Sequence, residues 1–429
     1  MVRVGLLRLI TEGVAVVEEA KQGWTLEQAR TRLLTALSPL PGRDVCPLRQ
    51  ARGRVLAAPL VAPSAVPGFR ASSMDGYALR AVDGQPGRSL PVVGCSAAGA
   101  PHGRSLQPGQ VVRIFTGAVV PDGADAVAPQ EDVHLMQGEP PGSTVTLKDS
   151  VRPGQWIRSP QEEAAAGQQL ASAGQRLSSV DVARALGCGL CMAQVRVRPR
   201  VTLLITGSEL RPAGDPLAPG TVYDSNGPLL LLLLEQLGVA VVGQERVDDD
   251  PRRLERALLT LAGRSDVLIS TGGVSVGDGD HVRPLLERLG ALQFWRLFLK
   301  PGRPFATGTM AGARFFGLPG NPVSAAVTFL QLVWPALQVL EGAPPEPWPR
   351  LRVHLTTPLR RRPGRPELIR ARLSTDRQGN PLATPCGDQS SARLASLQGA
   401  DLLLEVDASS TELPAGAAVT AQLLRLPVL

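Results

Sequence analysis

A chain of 429 residues with 43% hydrophobic content can fill several packed cores, roughly two to four on ordinary domain sizes. Aromatic residues are only 3%, and the net charge of +7 is scattered rather than gathered into a basic arm, which argues against nucleic acid as a partner. The five cysteines are odd in number, no signal pattern opens the chain, and the run Leu229 to Leu234 is far too short to cross a bilayer, so a reducing, cytoplasmic setting without a membrane is expected.

In chain order, residues 1–22 read as an N-terminal extension. From Thr25 the segment TLEQARTRLLTAL predicts an amphipathic helix with Leu26, Ala29, Leu33 and Leu37 on one side. Residues 63–150 carry Gly and Pro between short apolar runs, the pattern of a β-rich lobe. Residues 23–62 together with 151–195, which include a helix around Ser179 to Leu186, are assigned to an elongated linker domain. The lone Cys188–Cys191 pair has no second pair or His-rich neighbour, so neither a zinc nor a redox site is expected.

From Arg200 strand and helix alternate. A strand at Val201 to Ile205 is followed by a buried helix bounded by Pro228 and Gly238, and then by a strand at Val239 to Val242. Asp250 and Pro251 have the chemistry of N-cap and N1 for a helix burying Leu254, Leu258 and Leu261. A strand at Val267 and a helix at Val282 to Leu289 follow. Two or three strands lie between Phe294 and Leu318, and a long helix runs from Pro322 to about Leu340. This alternation predicts a doubly wound α/β domain over residues 196–345. GAPPEPWP, Gly342 to Pro349, is a linker, and residues 346–429 are expected to form a small β-barrel.

Ile269 to Asp280, ISTGGVSVGDGD, is the most informative stretch. An apolar strand ends in a loop of glycines (Gly272, Gly273) with Ser275 and two carboxylates, Asp278 and Asp280. Glycines let the backbone approach an anionic ligand, and paired carboxylates suit Mg²⁺. Acids follow two other strands: Glu209 in TGSEL, and Asp249 beside Asp250. Carboxylates converging on one sheet edge repel unless a cation neutralises them, which makes Glu209, Asp249 and Asp280 the candidate metal ligands and Asp250 a plain cap. KPGRP puts Lys300 and Arg303 on a stiff turn, and Arg296, four residues upstream in an extended stretch, is expected to share a face with Lys300. In LPGNPVS, Asn321, Pro322 and Ser324 open a helix whose first-turn N–H groups suit an anion. Asp75 in SSMDGYA and Thr116 in IFTGAVVPDGADAV read by themselves as turn residues.

SSMDGYA, IFTGAVVPDGADAV, TGSEL, YDSN, DDP, GGVSVGDGD, KPGRP and LPGNPVSA occur here in the order found in the molybdopterin molybdenumtransferase family, the MoeA proteins and the matching domain of gephyrin. The chain resembles that family over nearly everything after the first 20 or so residues. The resemblance implies an L-shaped homodimer of four-domain chains. Its activity would be insertion of molybdate into adenylylated molybdopterin with metal-dependent release of AMP, the metal being Mg²⁺. By motif position, Asp75 and Thr116 would line the cleft. Glu209, Asp249 and Asp280 would serve the metal and the phosphoanhydride, and Asp224, Ser225 and Asn226 of YDSN would bind substrate beside the glycine loop. Arg296, Lys300 and Arg303 would hold molybdate or phosphate, Pro319 and Pro322 would shape the pocket floor, and Arg370 and Ser391 would come from the C-terminal domain. A molybdopterin adenylyltransferase and acceptor molybdoenzymes are the implied partners. Departures are Gln161 for Gly and Glu163 for Asp after Ile157-Arg158, Arg303 where lysine is commoner, and Ser390 where glycine is usual. Two other readings compete: a non-catalytic scaffold of the same fold, and the adenylylating step itself. The acids and cations together argue against the first, and the extra lobes against the second.

Overall fold

The computed structural model describes residues 23–137, 142–273 and 282–424. These form two compact units, one of residues 45–52 and 56–195, the other built from the chain before Val45, residues 53–55 and the chain from Arg196 onward.

Helix α1, Leu26–Thr35, opens the described chain. Thr25 and Gln28 close it reciprocally: the Thr25 hydroxyl accepts from the Gln28 N–H at 3.2 Å, and the Gln28 side chain accepts from the Thr25 N–H at 2.9 Å. Its buried face, Ala29 and Leu33, lies in one core with Val201, Ile269 and Phe316, with Leu26 and Leu37 packed against it. Helix α1 therefore packs in the core of the α/β domain, whereas Leu48, Leu56 and Leu60 share a core with Ala171, Leu177 and Val182.

The smaller unit is the expected β-rich lobe with its neighbouring segment. Its sheet holds β1 (Gly76–Leu79), β2 (Ser89–Ser96), β3 (Val111–Ile114), β4 (Ala126–Pro129), β5 (Val133–Gln137) and β6 (Thr144–Leu147), in the order β4-β1-β3-β2-β6-β5. Helix α2, Ser179–Gly187, starts at a capping box of Ser178 with Asp181.

The larger unit contains a six-stranded sheet of β7 (Arg200–Thr206), β8 (Ala240–Val247), β9 (Val267–Thr271), β10 (Gly290–Arg296), β11 (Pro304–Met310) and β12 (Ala313–Leu318), in the order β8-β7-β9-β12-β11-β10. The first four in that order are parallel, whereas β11 runs antiparallel to both its neighbours, so the sheet is mixed. Helices cover both faces, as a doubly wound domain requires. On one side lie α1, α3 (Asn226–Gln236) and the helix beginning at Pro322; on the other are α4 (Pro251–Ala262) and α5 (Val282–Leu289).

Three expectations need correction. Helix α3 starts at Asn226, two residues before Pro228, and is not buried all round: Leu230 and Leu234 face the core, whereas Leu232 is 62% exposed. The strand expected at Val239 to Val242 runs on to Val247, because its ladder with β7 continues to Thr206. The long helix from Pro322 is interrupted: α6 (Pro322–Thr328) passes through a π turn, Phe329–Val333, into α7 (Trp334–Glu341). This stretch is long and apolar enough to span a bilayer, but 89% of it is buried inside the protein, so it is a core helix. Gln331 in the π turn accepts from Arg30 Nη2 at 2.7 Å and donates to Gln422 at 2.7 Å, linking α1 to the C-terminal domain.

That domain is the expected closed barrel, β13 (Arg350–Leu355), β14 (Glu367–Thr375), β15 (Pro381–Pro385), β16 (Leu402–Val406) and β17 (Ala418–Leu423), in the order β13-β15-β14-β16-β17.

Candidate active site at one edge of the sheet

The parallel strands β8, β7, β9 and β12 all end on one edge, and β10 ends there too, because β11 reverses direction twice over. The loops leaving that edge carry, in spatial order, Asp249, then Ser208 and Glu209, then Gly272 and Gly273, then Pro319 to Asn321, and finally Arg303 and Arg296. Six strands spaced ~4.8 Å apart spread these groups over roughly 24 Å, the span of an extended nucleotide-like ligand.

At the acidic end, Glu209 folds back over Gly207, where an added Cβ would lie 2.7 Å from its carboxylate. The Ser208 N–H donates to Asp249 at 3.2 Å, and the Asp249 N–H donates to the Ser208 hydroxyl at 3.0 Å. The two loops are thus stitched together and hold both carboxylates on neighbouring strand ends. Both acids are oxygen donors, the chemistry a hard cation such as Mg²⁺ requires. No group of three His, Cys, Asp or Glu is placed to hold an ion among the described residues, and Ser275, Asp278 and Asp280 lie outside them. Asp250, as expected, is a cap: its side chain accepts from the Arg253 N–H at 2.8 Å.

The middle of the edge is a close approach of backbones. Gly272 has φ +88°, and a Cβ there would lie 2.6 Å from the Thr206 hydroxyl and 2.7 Å from the Thr206 carbonyl oxygen, so only glycine fits. The buried Asn226 side chain donates to the Thr271 hydroxyl at 2.8 Å and to the Gly320 carbonyl at 2.6 Å, tying α3 to the ends of β9 and β12. Its Oδ1 is buried without a partner, an acceptor left for a ligand donor. Asp224 supports this corner by accepting from the Gly227 N–H at 3.0 Å, and Ser225 sits at the N-cap without a side-chain cap bond.

The cationic end departs from expectation. Arg296 ends β10, and the chain then bends: Leu297 N–H donates to Arg303 O at 2.7 Å and Phe298 N–H to Trp24 O at 2.7 Å, so Arg296 and Lys300 do not share an extended face. Lys300 instead joins the barrel. Its N–H donates to the Pro366 carbonyl at 2.9 Å, its carbonyl accepts from Leu368 at 2.8 Å, and Nζ lies 2.8 Å from the Glu367 carboxylate. Glu367 is 3% exposed and also pairs with Arg361 at 3.1 Å. The Lys300 side chain stays half-exposed with two N–H donors to spare. Gly302 packs against Thr328 of α6, which fixes the turn carrying Arg303.

The helix start at Asn321 is not an open anion cradle. Pro322 has no N–H, and the Val323 N–H donates to the Ser391 carbonyl at 3.1 Å. The Asn321 side chain donates to the Ser391 hydroxyl at 3.1 Å, and Ser324 is buried. Arg370 is wholly buried. Nε donates to Ser396 at 3.2 Å, Nη1 has no partner, and burial pushes its pKa down. Lys300, Asn321 and Ser391 therefore form the seam between sheet edge and barrel.

In the smaller unit, Asp75 Oδ1 accepts from the Thr116 N–H at 2.7 Å and from its hydroxyl at 2.8 Å. The N–H bond, then the hydroxyl bond, holds the Asp75 carboxyl below the usual carboxylate range. Neither residue is a plain turn filler. Among the departures from the family pattern, Glu163 is bound by Arg184 at 2.7 Å.

Residues 24–189 match the family described as MoeA N-terminal region (domain I and II), 202–339 match a probable molybdopterin binding domain, and 352–424 match MoeA C-terminal region (domain IV). The chain is 35% identical to molybdopterin molybdenumtransferase of Haemophilus influenzae, over 92% of this chain and 97% of that one. It belongs to the molybdopterin molybdenumtransferase family. The similarity extends to molybdopterin molybdenumtransferase 2 of Mycobacterium tuberculosis, 34% identical over 86% of this chain and 92% of the relative. The crystal structure of a molybdopterin biosynthesis MoeA protein from Pyrococcus horikoshii covers 93% of this chain and 99% of its own at 27% identity, with a TM-score of 0.78. Membership places this molybdenumtransferase homologue among the enzymes of molybdenum cofactor biosynthesis. Sequence reasoning missed three residues that brace the site, Ser208, Thr206 and Glu367, whereas Thr271 lies within the stretch ISTGGVSVGDGD already singled out. Only Glu367 left a signal, as an acid opening the apolar strand ELIRARL.

Proposed function

We propose that the chain inserts molybdate into adenylylated molybdopterin, with Mg²⁺ and release of AMP, as a cytoplasmic homodimer. The observation that carries this reading is the single sheet edge with acids at one end, a side-chain-free backbone in the middle and cations at the other. Glu209 and Asp249, with Asp280, would hold Mg²⁺, which when bound neutralises charge on the phosphoanhydride. Water cleaves that anhydride, leaving AMP and the pterin phosphate. Each dithiolene sulfur that binds molybdenum replaces one oxo group, which departs as water after protonation, without change of oxidation state. The chain's own groups orient these partners. Asn226 Oδ1 would accept an N–H from the pterin, Gly272 and Gly273 would let backbone amides approach the phosphates, and the oxyanion would be met by Arg296 and Arg303 from the sheet edge and by Lys300, steadied by Glu367, from the barrel side. Fixed charges at a partly dry edge need no reorganisation as charge develops. A pterin-adenylylating enzyme would supply the substrate, and acceptor molybdoenzymes would take the product.

The test is incubation of purified protein with adenylylated molybdopterin, Mg²⁺ and molybdate, following AMP and cofactor. AMP release is expected to stop in Asp280→Ala while the fold persists; absence of AMP release from wild type defeats the proposal. Lys300→Ala should raise the molybdate concentration needed. Light scattering should give twice the chain mass.

A further inference from the structure

The sheet face beneath α1 changes character along its strands. Toward the active edge it is apolar, with Trp295, Phe305 and Phe316 in the core. Toward the opposite edge the same face becomes polar: Gln293 pairs across with Thr307, and Thr309 stands between Ala291 and Arg314. Alternation puts all these side chains on one side, where a helix-covered sheet ordinarily carries aliphatic residues. The cost of that polarity is explained if something charged and hydrogen-bonding is received there.

An open cleft of about 310 Å³ lies at this place, and Arg314 and Arg32, from the last turn of α1, both line it. Neither guanidinium pairs with a carboxylate among the described residues; Arg32 instead lies over the Trp24 ring, 5.1 Å from its centroid. Thr307 and Thr309 add hydroxyl donors, and Leu33 and Leu37 form an apolar wall. Thr309 lies five residues along β11 from Pro304 at the active edge, roughly 17 Å, and Thr307 about 10 Å.

We infer that this cleft binds a small phosphate monoester. Two forked guanidiniums and two hydroxyls suit a tetrahedral dianion. The volume exceeds that of bare phosphate, and the leucine wall takes an apolar ester group. The inference is independent of the proposed reaction, since it uses no residue of the catalytic edge.

Calorimetric titration of the full chain with phenyl phosphate tests it. Wild type and Lys300→Ala should bind alike, Arg314→Gln should bind about tenfold more weakly or worse, and the ester should exceed inorganic phosphate. Unchanged affinity in the Arg32→Gln, Arg314→Gln double variant, loss of binding in Lys300→Ala, or no binding by wild type at millimolar ligand would overturn it. Should Arg314→Gln fail to fold, Thr309→Val serves, with a few-fold loss expected, and no loss counts against the site.

Discussion

The two halves of the α/β sheet meet the same edge in different ways. In the parallel half, β8, β7 and β9 deliver their loops as crossovers, and each loop is tied to the next by short bonds within the domain: Ser208 to Asp249, Asn226 to Thr271 and Gly320. In the antiparallel half, the turn between β10 and β11 is held from outside, by a barrel strand that pairs with Lys300 and a buried carboxylate that grips its ammonium. The acids of this protein are placed by local topology, and its central lysine by a second domain. The two kinds of placement should fail differently when broken.

Removing the acids should cost most in chemistry. Glu209→Ala and Asp249→Ala are each expected to lower the rate of AMP release by about a hundredfold or more, with circular dichroism unchanged because both side chains are exposed. Breaking the outside brace should instead cost stability. Glu367→Ala leaves buried Arg361 without its carboxylate and should lower the unfolding free energy by about 3 kcal/mol in a denaturant titration. Lys300→Ala removes the half-exposed partner and leaves buried Glu367 still paired with Arg361, so it should cost only about 1 kcal/mol while changing the molybdate requirement. If both variants destabilise equally, the brace is not centred on Glu367. Gly272→Ala tests the middle of the edge. The new Cβ collides with the Thr206 side chain and carbonyl at a positive φ, so stability should fall by about 1–3 kcal/mol and the KM for substrate should rise about tenfold. The smallest effect is expected in the other unit. Thr116→Val removes the hydroxyl bond, so the Asp75 carboxyl should titrate at higher pH by NMR. Because its pKa is depressed in the native state, its contribution is present at neutral pH and is lost as pH falls through that lowered value.

Most of the fold was legible because its periodicities are local. The capped helix at Thr25, the Asp250–Pro251 helix start and the alternation after Arg200 each follow from neighbours in sequence. The misplaced features are those decided by distant partners. Pro228 looked like a helix start, but α3 begins at Asn226, whose side chain is held by Thr271 and Gly320. The residues around Lys300 read as extended, but Trp24 and the barrel bend them. The open first turn expected at Asn321 is taken by Ser391, 70 residues away. That Glu209 and Asp249 stand together was legible because strand ends in a parallel sheet gather on one edge. Glu367 was not, since nothing in its own segment says that it reaches Lys300.

The π turn at Phe329–Val333 has a consequence for which length changes this chain can bear. A wide turn is an ordinary helix carrying one surplus residue, and it lets the halves before and after it keep separate rotational phases. Trimming one residue there would restore uniform winding and leave the phase of Trp334 onward unchanged, whereas trimming one within α6 would swing everything after it by ~100° about the axis. Leu337 and Leu340 would then point away from their present neighbours, and Gln331 would lose either Arg30 or Gln422. The exposed connection between residues 212 and 221 can gain or lose residues at little cost, whereas within the core helix only the wide turn has a residue to spare.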